Sequence, residues 1–179
     1  MLKTNKSIRR PYTTLAAGLA LSGLLVAGSA GAVTETDELV VTANVTKNCT
    51  IEVAPLAFGA YNPVGTNLAT PLTGEGTVTV NCTLGTGFVV TLDQGANAEG
   101  ASTGDAPLRQ MASGAARLKY SLHSVSVAGA VWGEDEVTAP LDASADGVEQ
   151  DFTVFGSIAA GQVVPLGDYA DSVVATVTF

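Results

Sequence analysis

From residue 39 onward the chain is built of short runs in which apolar and polar residues alternate. The runs are separated by clusters of Gly, Pro, Asn and Asp. Leu39, Val41, Ala43 and Val45 alternate with polar or smaller neighbours, and Cys49, Ile51 and Val53 continue in the same phase. The pattern returns at Val78, Val80 and Cys82, at Phe88, Val90 and Leu92, at Leu118, Tyr120 and Leu122, and at Phe152, Val154, Gly156 and Ile158. A period of two is that of a strand with one buried face. Almost nothing after residue 32 has helical spacing, so the prediction is an antiparallel β-sandwich.

The last stretch, Asp168–Phe179, reads as one more strand. Tyr169, Val173, Ala175, Val177 and Phe179 fall on one face and Thr176 and Thr178 on the other, with no turn, cap or polar tail after them. An unpaired apolar strand templates pairing with another chain. The expectation is therefore that another polypeptide fills this edge.

Composition changes the picture at the other end. Lys3, Lys6, Arg9 and Arg10 precede an apolar stretch from Leu15 to Ala27 and a small-residue site at Ala30-Gly31-Ala32. This is the order of a secretory signal, read over residues 1–32. The apolar stretch falls short of the roughly 20 residues that cross a bilayer. Without those 32 residues, 147 of the 179 remain, which suits one domain with one core. Four Lys and Arg then stand against 17 Asp and Glu, a formal net charge of −13. Nucleic acid is excluded as a partner on that balance, because phosphate binding needs a basic surface.

Cys49 and Cys82 both lie in the exported part, where one disulfide is the simplest reading. Both sit on the apolar phase of their strands, so the bridge is expected to tie two early strands, with Cα atoms roughly 4.4–6.8 Å apart. A metal pair or a reactive thiol is the competing reading, and the chain offers a single histidine and no further cysteine to support it.

Two long connections interrupt the strands. Gln94–Pro107 is rich in Gly, Ala, Ser and Asn, and Gly133–Asp151 carries Glu134, Asp135, Glu136, Asp142, Asp146, Glu149 and Asp151. The acidic loop lacks the spaced ligands and closing Glu of an EF-hand, and reads as solvated. His123 falls opposite Leu118, Tyr120 and Leu122, on the face expected to meet solvent, and no Gly-x-Ser-x-Gly turn accompanies it. No phosphate-cradling loop and no metal-ligand spacing occurs. Trp132 reads as a core or sheet-edge residue rather than a ligand-stacking one, and Arg109 as a surface residue or half of an ion pair. An enzyme is not expected, and no cofactor.

Leu39–Val45 admits two readings. It is the first strand of its own domain, or it is a donor strand that completes a neighbour. Strand addition draws affinity from main-chain hydrogen bonds and specificity from alternate side chains, here Leu39, Val41, Ala43 and Val45.

The sequence resembles the spore coat protein U domain group, which contains subunits of archaic chaperone–usher pili. The matching pieces are Asn48-Cys-Thr-Ile51, Leu56-Ala-Phe-Gly-Ala-Tyr61, Val78-Thr-Val-Asn-Cys-Thr83, Arg109-Gln-Met111, Leu118-Lys-Tyr-Ser-Leu122 and Val131-Trp-Gly133. The closing stretch is nearest, through Phe152-Thr-Val-Phe-Gly156, Gly161-Gln162, Gly167-Asp-Tyr-Ala-Asp-Ser-Val173 and Thr176-Val-Thr-Phe179. Ser157 stands where family members often carry a basic residue.

The resemblance implies an all-β fold: an incomplete immunoglobulin-like antiparallel sandwich lacking its last strand, with an N-terminal donor strand. It divides the chain into a signal at 1–32, a donor extension at 33–47 and a pilin-type domain at 48–179. Leu39, Val41, Ala43 and Val45 would be the donor side chains. Val173, Ala175, Val177 and Phe179 would border the acceptor groove and contact a periplasmic chaperone, with the Phe179 carboxylate as an anchor. An outer-membrane usher would then exchange the chaperone for the next pilus subunit. The expected role is structural, on the cell surface of a Gram-negative bacterium, in adhesion and biofilm formation. The alternative is a monomeric secreted sandwich that coats a surface or binds a ligand.

Overall fold

The computed structural model describes residues 31–136, 139–142 and 144–179, so the signal read over residues 1–32 falls outside the described residues except for its last two. Residues 31–48 form neither helix nor strand, and Leu39, Val41 and Val45 are each more than four-fifths exposed. The first strand of the sandwich therefore begins at Cys49 and not at Leu39.

Among the described residues the strands are β1 (Cys49–Ala54), β2 (Leu72–Cys82), β3 (Phe88–Leu92), β4 (Arg109–Ser113), β5 (Ala116–His123), β6 (Leu141–Asp142), β7 (Glu149–Ile158) and β8 (Ala175–Thr178). A single 3-10 turn, Thr66–Leu68, is the helical content of the described residues. Every strand pair is antiparallel. Five strands form one sheet in the order β1-β2-β7-β5-β4, and three form the other in the order β6-β3-β8.

Register decides what faces inward. Val78 of β2 lies opposite Val53 of β1 and Phe152 of β7, so all three share the inner face of the larger sheet. Val78, Val80 and Cys82 meet Phe88, Val90 and Leu92 of the smaller sheet, with Leu122, Val154 and Trp132 in the same core. The Phe88 and Phe152 rings meet edge to face with centroids 6.0 Å apart, a favoured aromatic geometry. Trp132 is fully buried, and its indole N–H donates to the Val90 carbonyl at 2.9 Å, so its one polar atom is satisfied.

The segment after β1 fills the far end of this core. Leu56 and Phe58 lie over Gly156, where a Cβ would come within 2.7 Å of both side chains. A glycine in mid-strand here is a matter of space, since the missing side chain is what admits the two larger ones.

Cys49 and Cys82 are directly opposed on β1 and β2 and form a disulfide, with Cα atoms 4.1 Å apart. The Thr83 N–H donates to the Asn48 carbonyl at 2.9 Å, which makes the neighbouring pair the hydrogen-bonded one. The cysteines therefore occupy the close, non-hydrogen-bonded pairing, where Cα atoms approach to about 4.5 Å. That pairing accounts for a short separation, and the observed 4.1 Å falls just under the range expected from sequence.

Four expectations need correction. The closing strand is shorter than its alternation suggests: Tyr169 and Val173 precede β8, and the lead-in is held by a mixture of main-chain and side-chain bonds rather than by a continuous ladder. The acidic connection, read as a solvated loop, contains the short strand β6, and the stretch Arg109–Ser113 adds strand β4. His123 is buried, because the turn after it returns and Val131 bridges back to it. Its Nδ1 lies 2.9 and 3.1 Å from the Gly129 and Ala130 carbonyls, and its Nε2 lies 2.9 Å from the Ser121 hydroxyl. Arg109 is also buried, at 1% exposure, as described below.

Candidate strand-acceptor groove

One side of the sandwich is left open. β1 is the edge of the five-stranded sheet and β8 the edge of the three-stranded sheet, and the two lie beside each other. Their inward side chains are only partly covered. Ile51, Ala175 and Val177, with Val173 just before β8, pack against the core while remaining partly exposed. Val53 is the clearest case: it faces inward beside Val78, which is 0% exposed, yet is itself 57% exposed. Phe179, beyond β8, is 44% exposed. The inner face thus passes from fully buried at β2 and β3 to open at β1 and β8.

The main chain of β8 is open on the same side. Val90 and Leu92 of β3 donate their N–H groups away from β8, to the Pro140 and Gly133 carbonyls at 2.9 and 3.2 Å. Backbone groups of successive strand residues point to opposite edges, so Val89 and Thr91 turn theirs toward Thr178 and Thr176, their partners on β8. Ala175 and Val177 consequently direct their main-chain groups to the free edge. The same two residues direct their side chains into the groove, so one incoming strand would meet both.

The structure places the predicted acceptor residues Val173, Ala175, Val177 and Phe179 along one segment, and brings β1 to face them. The predicted donor residues Leu39, Val41, Ala43 and Val45 lie in the exposed stretch before β1. Sequence reading missed Ile51 and Val53 as groove residues, although their alternation was visible. It supplied no signal that the strand next to β1 would be absent on one side.

It also missed a polar network beneath the entrance to β8. Arg109 reaches from β4 to the end of β3: its Nε donates to the Asp93 carbonyl at 2.9 Å, and its Nη2 donates to the Leu92 and Trp132 carbonyls at 3.1 and 2.8 Å and to Asp93 again. Burial lowers the pKa of this guanidinium, and nearby Tyr120, Asp93, Asp171 and Glu134 oppose the shift. Tyr120 of β5 donates its hydroxyl to Asp171 Oδ2 at 2.7 Å. Its pKa is raised well above the usual phenol range, first by burial and then by the bond to the Asp171 carboxylate.

Comparison with known proteins fits this geometry. Residues 35–176 match the family model described as the Spore Coat Protein U domain. The chain is 38% identical over 175 residues to "Protein U" of Myxococcus xanthus, covering 93% of this chain and 97% of that protein. Among solved structures it is similar to a chain of the CsuC–CsuE chaperone–tip adhesion subunit pre-assembly complex from the archaic chaperone–usher Csu pili of Acinetobacter baumannii. That likeness has a TM-score of 0.51 at 20% identity and covers 75% of this chain but about 40% of the other, so it speaks to the fold. With the family model spanning most of its length and the Myxococcus relative covering nearly all of it, the chain belongs to the Spore Coat Protein U domain family.

Proposed function

We propose that this chain is a structural, non-enzymatic subunit of a surface pilus, assembled by the chaperone–usher route through donor-strand exchange. The observation that carries the reading is the groove between two edge strands, in which the inward-facing Val53 is 57% exposed beside a fully buried Val78. A strand laid there would hydrogen-bond to the free edge of β8 and cover Val53, Val173, Ala175 and Val177. That is how strand addition combines main-chain affinity with side-chain selection.

On this reading residues 1–32 direct export and residues 33–47 form the donor extension, with Leu39, Val41, Ala43 and Val45 as the inserted side chains. Residues 48–179 form the acceptor domain. A periplasmic chaperone occupies the groove first and contacts Val173, Ala175, Val177 and Phe179. At an outer-membrane usher the next subunit's extension replaces it, and the polymer emerges on the cell surface to support adhesion and biofilm formation. Membership of the family and the pilus-subunit fold support the route, and the exposure of Leu39, Val41 and Val45 supports the donor assignment.

The test is a deletion of Val33–Val45 in the exported chain. The shortened subunit should still form its disulfide and bind a chaperone while adding no successor. Polymers that survive heating in detergent from the deleted chain would refute the donor assignment. The intact chain purified without a chaperone should polymerise or aggregate. A stable monomer by light scattering would favour the secreted coat or ligand-binding sandwich instead.

A further inference from the structure

β8 presents a physical difficulty as an acceptor edge. It is four residues long, pairs on one side with the five-residue β3, and among the described residues receives no cover from a strand on the other. A strand so short, at a sheet edge, belongs to the part of a fold that opens first. An edge that frays cannot template an incoming strand, because each residue would have to be ordered at the moment of binding.

The residues just before β8 show how it is kept in place. Asp171 Oδ1 accepts both the main-chain N–H of Asn97, at 3.1 Å, and its side-chain Nδ2, at 2.9 Å, while Oδ2 accepts the Tyr120 hydroxyl at 2.7 Å. One carboxylate thus joins the β3–β4 connection to β5 and to the lead-in of β8. On its N-terminal side Ala170 exchanges two main-chain bonds with Ala112 of β4, at 2.8 and 3.1 Å. On its C-terminal side Ser172 accepts from Ala96 N–H at 3.0 Å, and Asp93 Oδ1 accepts the Val174 N–H at 2.9 Å. Gly95, at φ +79°, allows the close approach, since a Cβ there would collide with Asp171 Oδ2. Residues 170–174 therefore form a strap that leaves the edge of the five-stranded sheet and delivers β8 to the other sheet.

We infer that Asp171 is a positioning residue for strand uptake: by clamping this strap to Asn97 and Tyr120, it holds β8 as a preformed acceptor edge. The inference rests on the donor-strand reading above. It differs in predicting that a side chain outside the groove, touching no donor residue, sets how well the groove accepts one. The carboxylate matters as a multiple acceptor rather than as a charge. Asparagine in its place can still accept from Asn97 and can donate to the Tyr120 oxygen, so Asp171→Asn should retain the clamp that Asp171→Ala loses.

The experiment compares full-length exported wild type with Asp171→Ala, Asp171→Asn and Val154→Ala, the last a core truncation on β7 that lies outside the strap and its hydrogen bonds. Hydrogen exchange reads the opening of β8, and uptake of a fluorescent peptide with the sequence of residues 33–47 reads the groove. Asp171→Ala should speed exchange at the bonded amides of Val174, Thr176 and Thr178 and weaken peptide uptake, each by about tenfold or more, as expected on losing hydrogen bonds to a charged acceptor. Asp171→Asn should stay within about threefold of wild type. Val154→Ala should lower the melting temperature while leaving uptake unchanged.

Equal loss of uptake in Val154→Ala and Asp171→Ala would overturn the inference, since general destabilisation would then suffice. Wild-type uptake by Asp171→Ala would also overturn it while leaving donor-strand exchange intact. Failure of wild type to take up the peptide would overturn both. Should Asp171→Ala fail to fold, Asn97→Ala removes the side-chain bonds to Asp171 at 2.9 Å and to the Ala170 carbonyl at 3.5 Å, both to the strap, and should give the same two changes at smaller size.

Discussion

The two lateral boundaries of this sandwich are built on opposite terms. On one side, β4 closes the five-stranded sheet and is bridged through Ala112 to Ala170, while the smaller sheet ends in the two-residue strand β6. A short edge strand and a covered edge are both protections against unwanted pairing. On the other side β1 and β8 stand uncovered among the described residues, with inward Val53 exposed and Val173 and Val177 partly exposed. Apolar content alone does not distinguish the two sides. What distinguishes them is whether a neighbouring strand is present, and among the described residues the open side has none.

The largest effects should come from breaking the closed side. Trp132 is fully buried and its indole bonds to Val90, so Trp132→Ala removes both a large core volume and a satisfied donor. A loss of about 3–5 kcal/mol is expected in chemical denaturation, as for other buried aromatic truncations. Gly156→Ala should follow. Its Cβ would fall 2.7 Å from Leu56 and Phe58, and overpacking of that kind costs about 1–3 kcal/mol. A variant pairing Gly156→Ala with Leu56→Ala should recover part of that loss, which separates crowding from a change in strand propensity.

Much of this division was legible in the alternation of residues, because strand period and inward phase depend on local chemistry. The phases of Val78, Val80, Phe88, Val90 and Leu92 all proved inward, as did both cysteines. Arg109 and His123 were misjudged for one shared reason. A charged or polar side chain is buried when main-chain carbonyls from distant segments converge on it, at Leu92, Asp93 and Trp132 for the first and at Gly129 and Ala130 for the second. Periodicity carries no information about such convergence. The inward phase of Val173, Ala175 and Val177 was legible near the C-terminus, whereas the exposure of Val53 depends on which strands flank β1, and alternation along β1 carries no information about that.

The titration of Tyr120, in the polar network beneath β8, gives a smaller effect confined to alkaline pH. Burial and the bond to Asp171 raise the Tyr120 pKa above its ordinary value of 10.0. A folded-state pKa above the unfolded one means the folded state holds its proton more tightly. That contribution to stability is complete below the unfolded value and is lost as pH rises through the folded one. Unfolding midpoints should therefore begin to fall above about pH 10. Tyr120→Phe should remove part of this dependence. An unchanged alkaline profile in that variant would show that the hydroxyl is not held as described.

The smallest change in stability should accompany a change in assembly, and cross-strand neighbours allow the comparison within one pair. Val53 and Val78 face each other across β1 and β2, one 57% exposed and the other 0%. Valine to threonine preserves shape and adds a hydroxyl, which is costly only where it is buried without a partner. Val78→Thr should lose about 1–3 kcal/mol of stability. Val53→Thr should stay within about 0.5 kcal/mol of wild type, because its side chain already meets water. If a donor strand covers Val53 in the polymer, the same hydroxyl is buried at that step, and peptide uptake should weaken by roughly tenfold. Equal uptake by Val53→Thr and wild type would mean that Val53 stays wet in the assembled state, and that the open side is covered elsewhere along β1 and β8.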